Sequence, residues 1–69
     1  MNIKEKLGNR IRILRLERKI SQEKLAHLSS LDRTYMQSIE KGERNISIIT
    51  IEKISKAFNI TIDELVKDL

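Results

Sequence analysis

The stretch from Ser21 to Glu40, SQEKLAHLSSLDRTYMQSIE, constrains the fold more than any other part of the chain. It has room for two short helices and a tight turn. Ser21 is a good N-cap, and Glu23 falls in the first turn, where the helix dipole favours a negative charge. Leu25, Ala26 and Leu28 supply an apolar face. Ala26 is the informative small residue, because two helices crossing steeply need one position where their backbones come close. Ser29 and Ser30 break the pattern. Asp32 then offers a second N-cap, and Leu31, Tyr35, Met36 and Ile39 form one apolar stripe. Arg33, Thr34, Gln37 and Ser38 lie on the other face. Such short or forked polar groups read base edges, so the stretch reads as helix, turn and DNA-entering helix.

At 69 residues the chain has the size of one domain, 1–69. A domain this small buries only about 60% of its unfolded surface. Pro is absent, Gly occurs twice, aromatic residues make up 3% and charged residues 35%, which points to an all-α fold rather than a sheet. The absence of Cys removes disulfides and thiolate metal sites, and fits a reducing cytoplasm. No apolar run approaches the ~18 residues of a membrane span, and no signal segment is present, so neither a membrane nor export is expected. One His, no glycine-rich phosphate loop and no spaced carboxylate pair argue against an enzyme. No metal, cofactor or small-molecule ligand is expected.

The net charge of +4 is unevenly spread. Residues 1–20 hold seven basic and two acidic groups, residues 21–46 four of each, and residues 47–69 three basic and four acidic. A basic first helix is either a solvated face or an attraction to phosphate.

Helix 1 is expected from about Ile3 to Arg18, with Ile3, Leu7, Ile11 and Leu14 as its stripe. Gly8 lies inside it, at a cost of up to ~1 kcal/mol relative to Ala that close helix packing would offset. Ile13 and Leu16 fall off the stripe, and Ile20 can act as a hydrophobic staple before Ser21. His27 reads as a rim residue and Phe58 as core. Tyr35 is two-sided: its ring can pack while its hydroxyl reaches a phosphate. Gly42 closes the second helix of the unit. Helix 4 follows Ser47 to about Phe58, with Ile49 off its apolar face. Thr61 and Glu64 form a capping box, placing helix 5 from Ile62 to about Leu69. Ile60, Ile62, Leu65, Val66 and Leu69 are more apolar surface than one terminal helix needs. With Ile49 they are the expected dimer interface.

The pieces IRILR (11–15), SQEKLA (21–26), Leu31–Asp32, IEKG (39–42) and TIEKISKAFNITIDEL (50–65) resemble the phage-repressor-like, Xre-type helix-turn-helix family. Residues 31–47, LDRTYMQSIEKGERNIS, are most similar to the small controller proteins of restriction–modification systems. The resemblance implies a compact five-helix bundle of the lambda-repressor-like kind, with the helix-turn-helix at helices 2 and 3. It also implies a partly buried ion pair between Arg15 and Glu40, a DNA backbone contact from Asn45, and a groove or phosphate contact from Arg44. Two positions depart from the family pattern: Ser30 and Lys19 stand where relatives often carry Gly, so left-handed backbone there would be strained.

These readings converge on a sequence-specific DNA-binding transcriptional regulator, acting in the cytoplasm as a homodimer on a palindromic double-stranded DNA operator. Arg33 is expected to read a guanine edge, with Thr34 and Gln37 as neighbouring contacts. Gln22, Tyr35, Ser38, Arg44 and Asn45 are expected on the DNA backbone. The competing readings are the antitoxin of a toxin–antitoxin pair and a helical protein-interaction module without DNA binding.

Overall fold

Every helix of the chain starts on a short polar side chain. In the computed structural model, which describes residues 1–69, the helices are α1 (Ile3–Glu17), α2 (Gln22–Leu28), α3 (Arg33–Glu40), α4 (Ile48–Ala57) and α5 (Ile62–Leu65). Their N-caps are Asn2, Ser21, Asp32, Ser47 and Thr61, each accepting a backbone N–H of the first turn. Asn2 adds a full capping box: its Oδ1 accepts from the Glu5 amide at 2.9 Å, and Glu5 Oε1 accepts from the Asn2 amide at 3.0 Å.

The helix ends are as uniform as the starts. A residue with positive φ follows the C-cap of α1, α2, α3 and α4: Lys19 (56°), Ser30 (54°), Gly42 (78°) and Asn59 (57°). Beyond it, the amides of Ile20, Leu31, Glu43 and Ile60 donate back to the carbonyls of Arg15, Ala26, Ser38 and Ser55 at 2.9–3.3 Å. These are Schellman closures. Three of the four residues after the turn, Ile20, Leu31 and Ile60, are apolar and pack against the core. Each is followed at once by the next N-cap. Lys19-Ile20-Ser21, Ser30-Leu31-Asp32 and Asn59-Ile60-Thr61 are therefore one three-residue connector used three times.

The bundle closes over Ile11, Leu25, Met36, Ile54 and Leu65, all with no exposed surface, with Leu7, Leu14, Ala26, Ile39 and Phe58 around them. α1 and α2 both pack on α3, and α4 packs on α2 and α5. Ala26, at 2% exposure, sits in the core as its small size requires. At Gly8, α1 meets the last turn of α3 so closely that a Cβ would press on the Ile39 carbonyl oxygen and stand 2.9 Å from that of Glu40. No helix is long and apolar enough to cross a membrane.

α1 runs to Glu17 with Arg18 as its cap, in line with the expected end. The last helix needs correction: α5 ends at Leu65 instead of running on to Leu69. After Leu65 the chain reverses through Asp68, whose φ is 60°. The segment is laid over α1, where Arg10 donates to the carbonyls of Glu64 (2.8 Å) and Leu65 (3.2 Å) and Lys6 to that of Leu69 (3.3 Å). Leu65 therefore belongs to the monomer core and presents nothing to a second chain. Ile60, Val66 and Leu69 are half-buried against the same core, and Ile62 is half-buried. Ile49 is exposed as expected, at 64%, and its neighbour Ile48 equally so at 63%.

Gly8 and Ser30 predict opposite responses. Helix propensity alone favours Gly8→Ala by ~1 kcal/mol. The backbone carbonyls of α3 cannot retreat from a Cβ, so the variant is expected to lose stability in urea unfolding. Ser30→Gly relieves a left-handed residue that costs ~1–2 kcal/mol, against ~0.4–1 kcal/mol of added unfolded-chain entropy. A rise in the urea midpoint is expected, and a fall would show that Ser30 carries no strain.

Candidate nucleic-acid interface

The start of α3 is set by Asp32, whose Oδ2 accepts from the amides of Thr34 (2.9 Å) and Tyr35 (3.2 Å). This cap, with Met36 and Ile39 buried on the inner side, turns Arg33 and Thr34 outward and leaves Gln37 half-exposed one turn on. The first turn of α3 contains no acidic residue, so Arg33 adds its charge to the positive end of the helix dipole. Its only internal partner is Glu23, at 3.3 Å between exposed side chains. Such a pair contributes ~0–1 kcal/mol. It holds the guanidinium loosely and yields readily to a stronger acceptor.

The other end of α3 is held far more firmly. The Glu40 side chain is 3% exposed. Its Oε2 accepts from Arg15 Nε at 2.8 Å, and its Oε1 accepts from Arg15 Nη2 at 3.1 Å and from Gln22 Nε2 at 3.0 Å. Arg15 also donates through Nη1 to the Ile20 carbonyl at 2.9 Å. The fork expected between Arg15 and Glu40 is present, and it ties together α1, the α1–α2 connector, the first residue of α2 and the last residue of α3. Gln22 is half-buried with one amide hydrogen committed to Glu40, which leaves the second for an outside partner.

A third group lies beyond the end of α3. Ser38 donates its hydroxyl to the Tyr35 carbonyl at 2.7 Å and accepts from Arg44 Nε at 3.0 Å. The Arg44 guanidinium stands 5.7 Å from the centroid of the Tyr35 ring. Ser38 is buried beneath it, with its hydroxyl committed. Tyr35 is half-buried, and Asn45 is exposed beside Arg44. The sequence residues thus gather into three places: Arg33, Thr34 and Gln37 on the outer face of α3; Gln22 at the α2 start; and Tyr35, Arg44 and Asn45 past the α3 end. The bonds Gln22–Glu40 and Ser38–Arg44 were not foreseen, because they join residues 18 and 6 positions apart and depend on the helix crossing and the loop path.

Two crossed helices, the second offering polar side chains outward from a capped N-terminus, define a DNA-binding transcription regulator. A helix-turn-helix family model matches residues 11–65, and the chain belongs to that family. It is 46% identical to the control protein C.MunI of Mycoplasma sp over 69 residues, covering 99% of this chain and 93% of that one. Among solved structures, the restriction-modification controller protein C.AhdI from Aeromonas hydrophila superposes with a TM-score of 0.87 at 45% identity, covering 90% of this chain and 94% of that one. C.Esp1396I bound to a 25 base pair operator site superposes with a TM-score of 0.85 at 35% identity, covering 96% and 91%.

The Glu40 network predicts strong coupling. Arg15→Met strands a buried carboxylate and is expected to cost ~3–5 kcal/mol, as is Glu40→Leu in the opposite sense. The double variant should lose much less than the sum of the two. Additive losses in urea unfolding would show that the pair is not coupled.

Proposed function

We propose that this regulator is a controller protein of a restriction–modification system, binding its operator as a homodimer with α3 in the major groove. The observation that carries the reading is the outward face of α3: Arg33, Thr34 and Gln37 face outward, held by no more than the exposed Arg33–Glu23 pair, while the opposite face is locked into the core. The similarity to C.MunI and C.AhdI favours a controller over an antitoxin. The operator-bound C.Esp1396I supports DNA as the ligand.

In this reading Arg33 leaves Glu23 and donates to the O6 and N7 of a guanine, with Thr34 and Gln37 on neighbouring positions. Gln22 uses its second amide hydrogen on a phosphate at the N-terminus of α2, where the dipole also favours an anion. Tyr35, Arg44 and Asn45 take the backbone on the far side of the groove. Ser38 serves that contact by holding Arg44 rather than by touching phosphate. One α3 spans too few base pairs to find a site in a genome, so two copies are required.

The two-fold surface is centred on Ile49 and Ile48 at the start of α4. Two adjacent isoleucines this exposed are costly in a monomer. Ile62 contributes at an edge, while Ile60, Val66 and Leu69 mainly close the monomer. Such a regulator works in the cytoplasm, where its operator is.

Two measurements test the reading. Arg33→Ala is expected to weaken specific binding by ~1–3 kcal/mol and to relax preference at one base pair. An unchanged ratio of specific to random-duplex binding would remove Arg33 from base readout. Ile49→Asp should give a folded monomer in sedimentation equilibrium at concentrations where the unaltered protein is a dimer. An undiminished dimer would move the interface elsewhere.

A further inference from the structure

The basic residues of α1 divide into two kinds. Lys6, Arg10 and Arg15 are committed inside the molecule, to carbonyls of the C-terminal segment and to Glu40. Lys4 and Arg12 have no internal partner: the ion pairs of the protein are Arg15–Glu40, Arg33–Glu23 and Lys56–Glu52, and no hydrogen bond involves either side chain. Lys4 stands in the first turn of α1, where the dipole disfavours a cation. The neighbouring Glu5 carboxylate is taken by the Asn2 amide in the capping box and makes no ion pair with Lys4, so the ammonium is free for a use outside the chain.

The surroundings of Lys4 indicate that use. A cleft of about 190 Å³ runs between the first turn of α1, the α3–α4 loop and α4. Leu7, Ile46 and Ile51 give it an apolar floor, while Lys4, Arg44 and Asn45 stand around it. Close by, the α3–α4 loop meets the first turn of α1 at Gly42, where a Cβ would lie 2.7 Å from Glu5 Cα and Cγ. Arg44 is held by Ser38 Oγ through Nε and stacked on Tyr35, so its two terminal NH₂ groups remain unbonded. Arg44 thus links the cleft to Ser38 and Tyr35 of α3.

We propose that this cleft seats one deoxyribose-phosphate unit of the operator backbone, and that Lys4 is a phosphate contact alongside Arg44 and Asn45. The apolar floor takes the sugar. The Lys4 ammonium and the free edge of the Arg44 guanidinium meet the phosphate oxygens from two sides, and the Asn45 amide supplies a neutral donor. The proposal rests on the DNA-binding reading and adds to it a residue from α1, outside the helix-turn-helix unit.

The test is the salt dependence of binding, measured for the unaltered protein, Lys4→Gln, Lys4→Arg and Arg12→Gln on an operator duplex and on a random duplex. Each neutralised phosphate contributes about 0.9 to the slope of log K against log salt. Lys4→Gln should lower that slope by about 0.9 per protomer on both duplexes, with Lys4→Arg retaining it and Arg12→Gln leaving it unchanged. Both side chains are exposed, and unchanged thermal midpoints will show that all variants fold. A Lys4→Gln slope equal to that of the unaltered protein overturns the proposal and leaves DNA binding standing. A shift of the monomer–dimer equilibrium with an unchanged slope also overturns it, by assigning the cleft to a second copy. Salt-independent or undetectable binding of the unaltered protein to every duplex would overturn the DNA-binding reading itself.

Discussion

A carboxylate removed from water must be answered on every side, and the rest of this small bundle is arranged to answer Glu40. Its two oxygens accept three hydrogen bonds, from Arg15 and Gln22, and Arg15 turns its remaining edge to the Ile20 carbonyl. Buried ion pairs seldom add net stability over an apolar replacement, because desolvation consumes most of the attraction. What this one supplies is geometry. Apolar packing alone would let α3 rotate or slide by a fraction of a turn. A forked donor meeting a carboxylate, next to the Gly8 crossing, leaves one arrangement of α1, α2 and α3. The outward face of α3 then points in one direction.

Short connectors complete the constraint. A left-handed residue, an apolar residue and an N-cap are enough to end one helix, pin the turn to the core and begin the next. Three non-glycine residues are held left-handed to achieve this. Each gives up stability, and the chain accepts it because its core has only ten buried apolar side chains and cannot tolerate slack in the turns. In the turn between α2 and α3, Ser29 is also buried with its hydroxyl unpartnered. That is a second local cost at the element that sets the angle between the two helices.

Much of this was legible in the residues. The caps Ser21, Asp32 and Thr61, the small residue Ala26 and the closing Gly42 act over three or four positions, and such short-range signals survive folding unchanged. The polar outer face of α3 was visible for the same reason. The last helix was misread because its apolar pattern does not distinguish a helix facing a partner from a chain folding back on its own core. The difference lies in Lys6 and Arg10, more than fifty residues earlier, which hold the end of the chain on α1. Total charge misleads in the same way. Of the basic residues in the first helix, Lys6, Arg10 and Arg15 are internal struts, so fewer charges are free than the count of basic residues implies.

The most direct measurement of the central claim, a two-fold pair of recognition helices reading DNA, is selection of binding sites from a random duplex pool with the purified protein at a stated salt concentration. A two-fold symmetric sequence is expected, with half-site centres about one DNA turn, ~34 Å, apart and the strongest preference at the positions facing the start of α3. A single asymmetric site, or no enrichment over the starting pool, would contradict it.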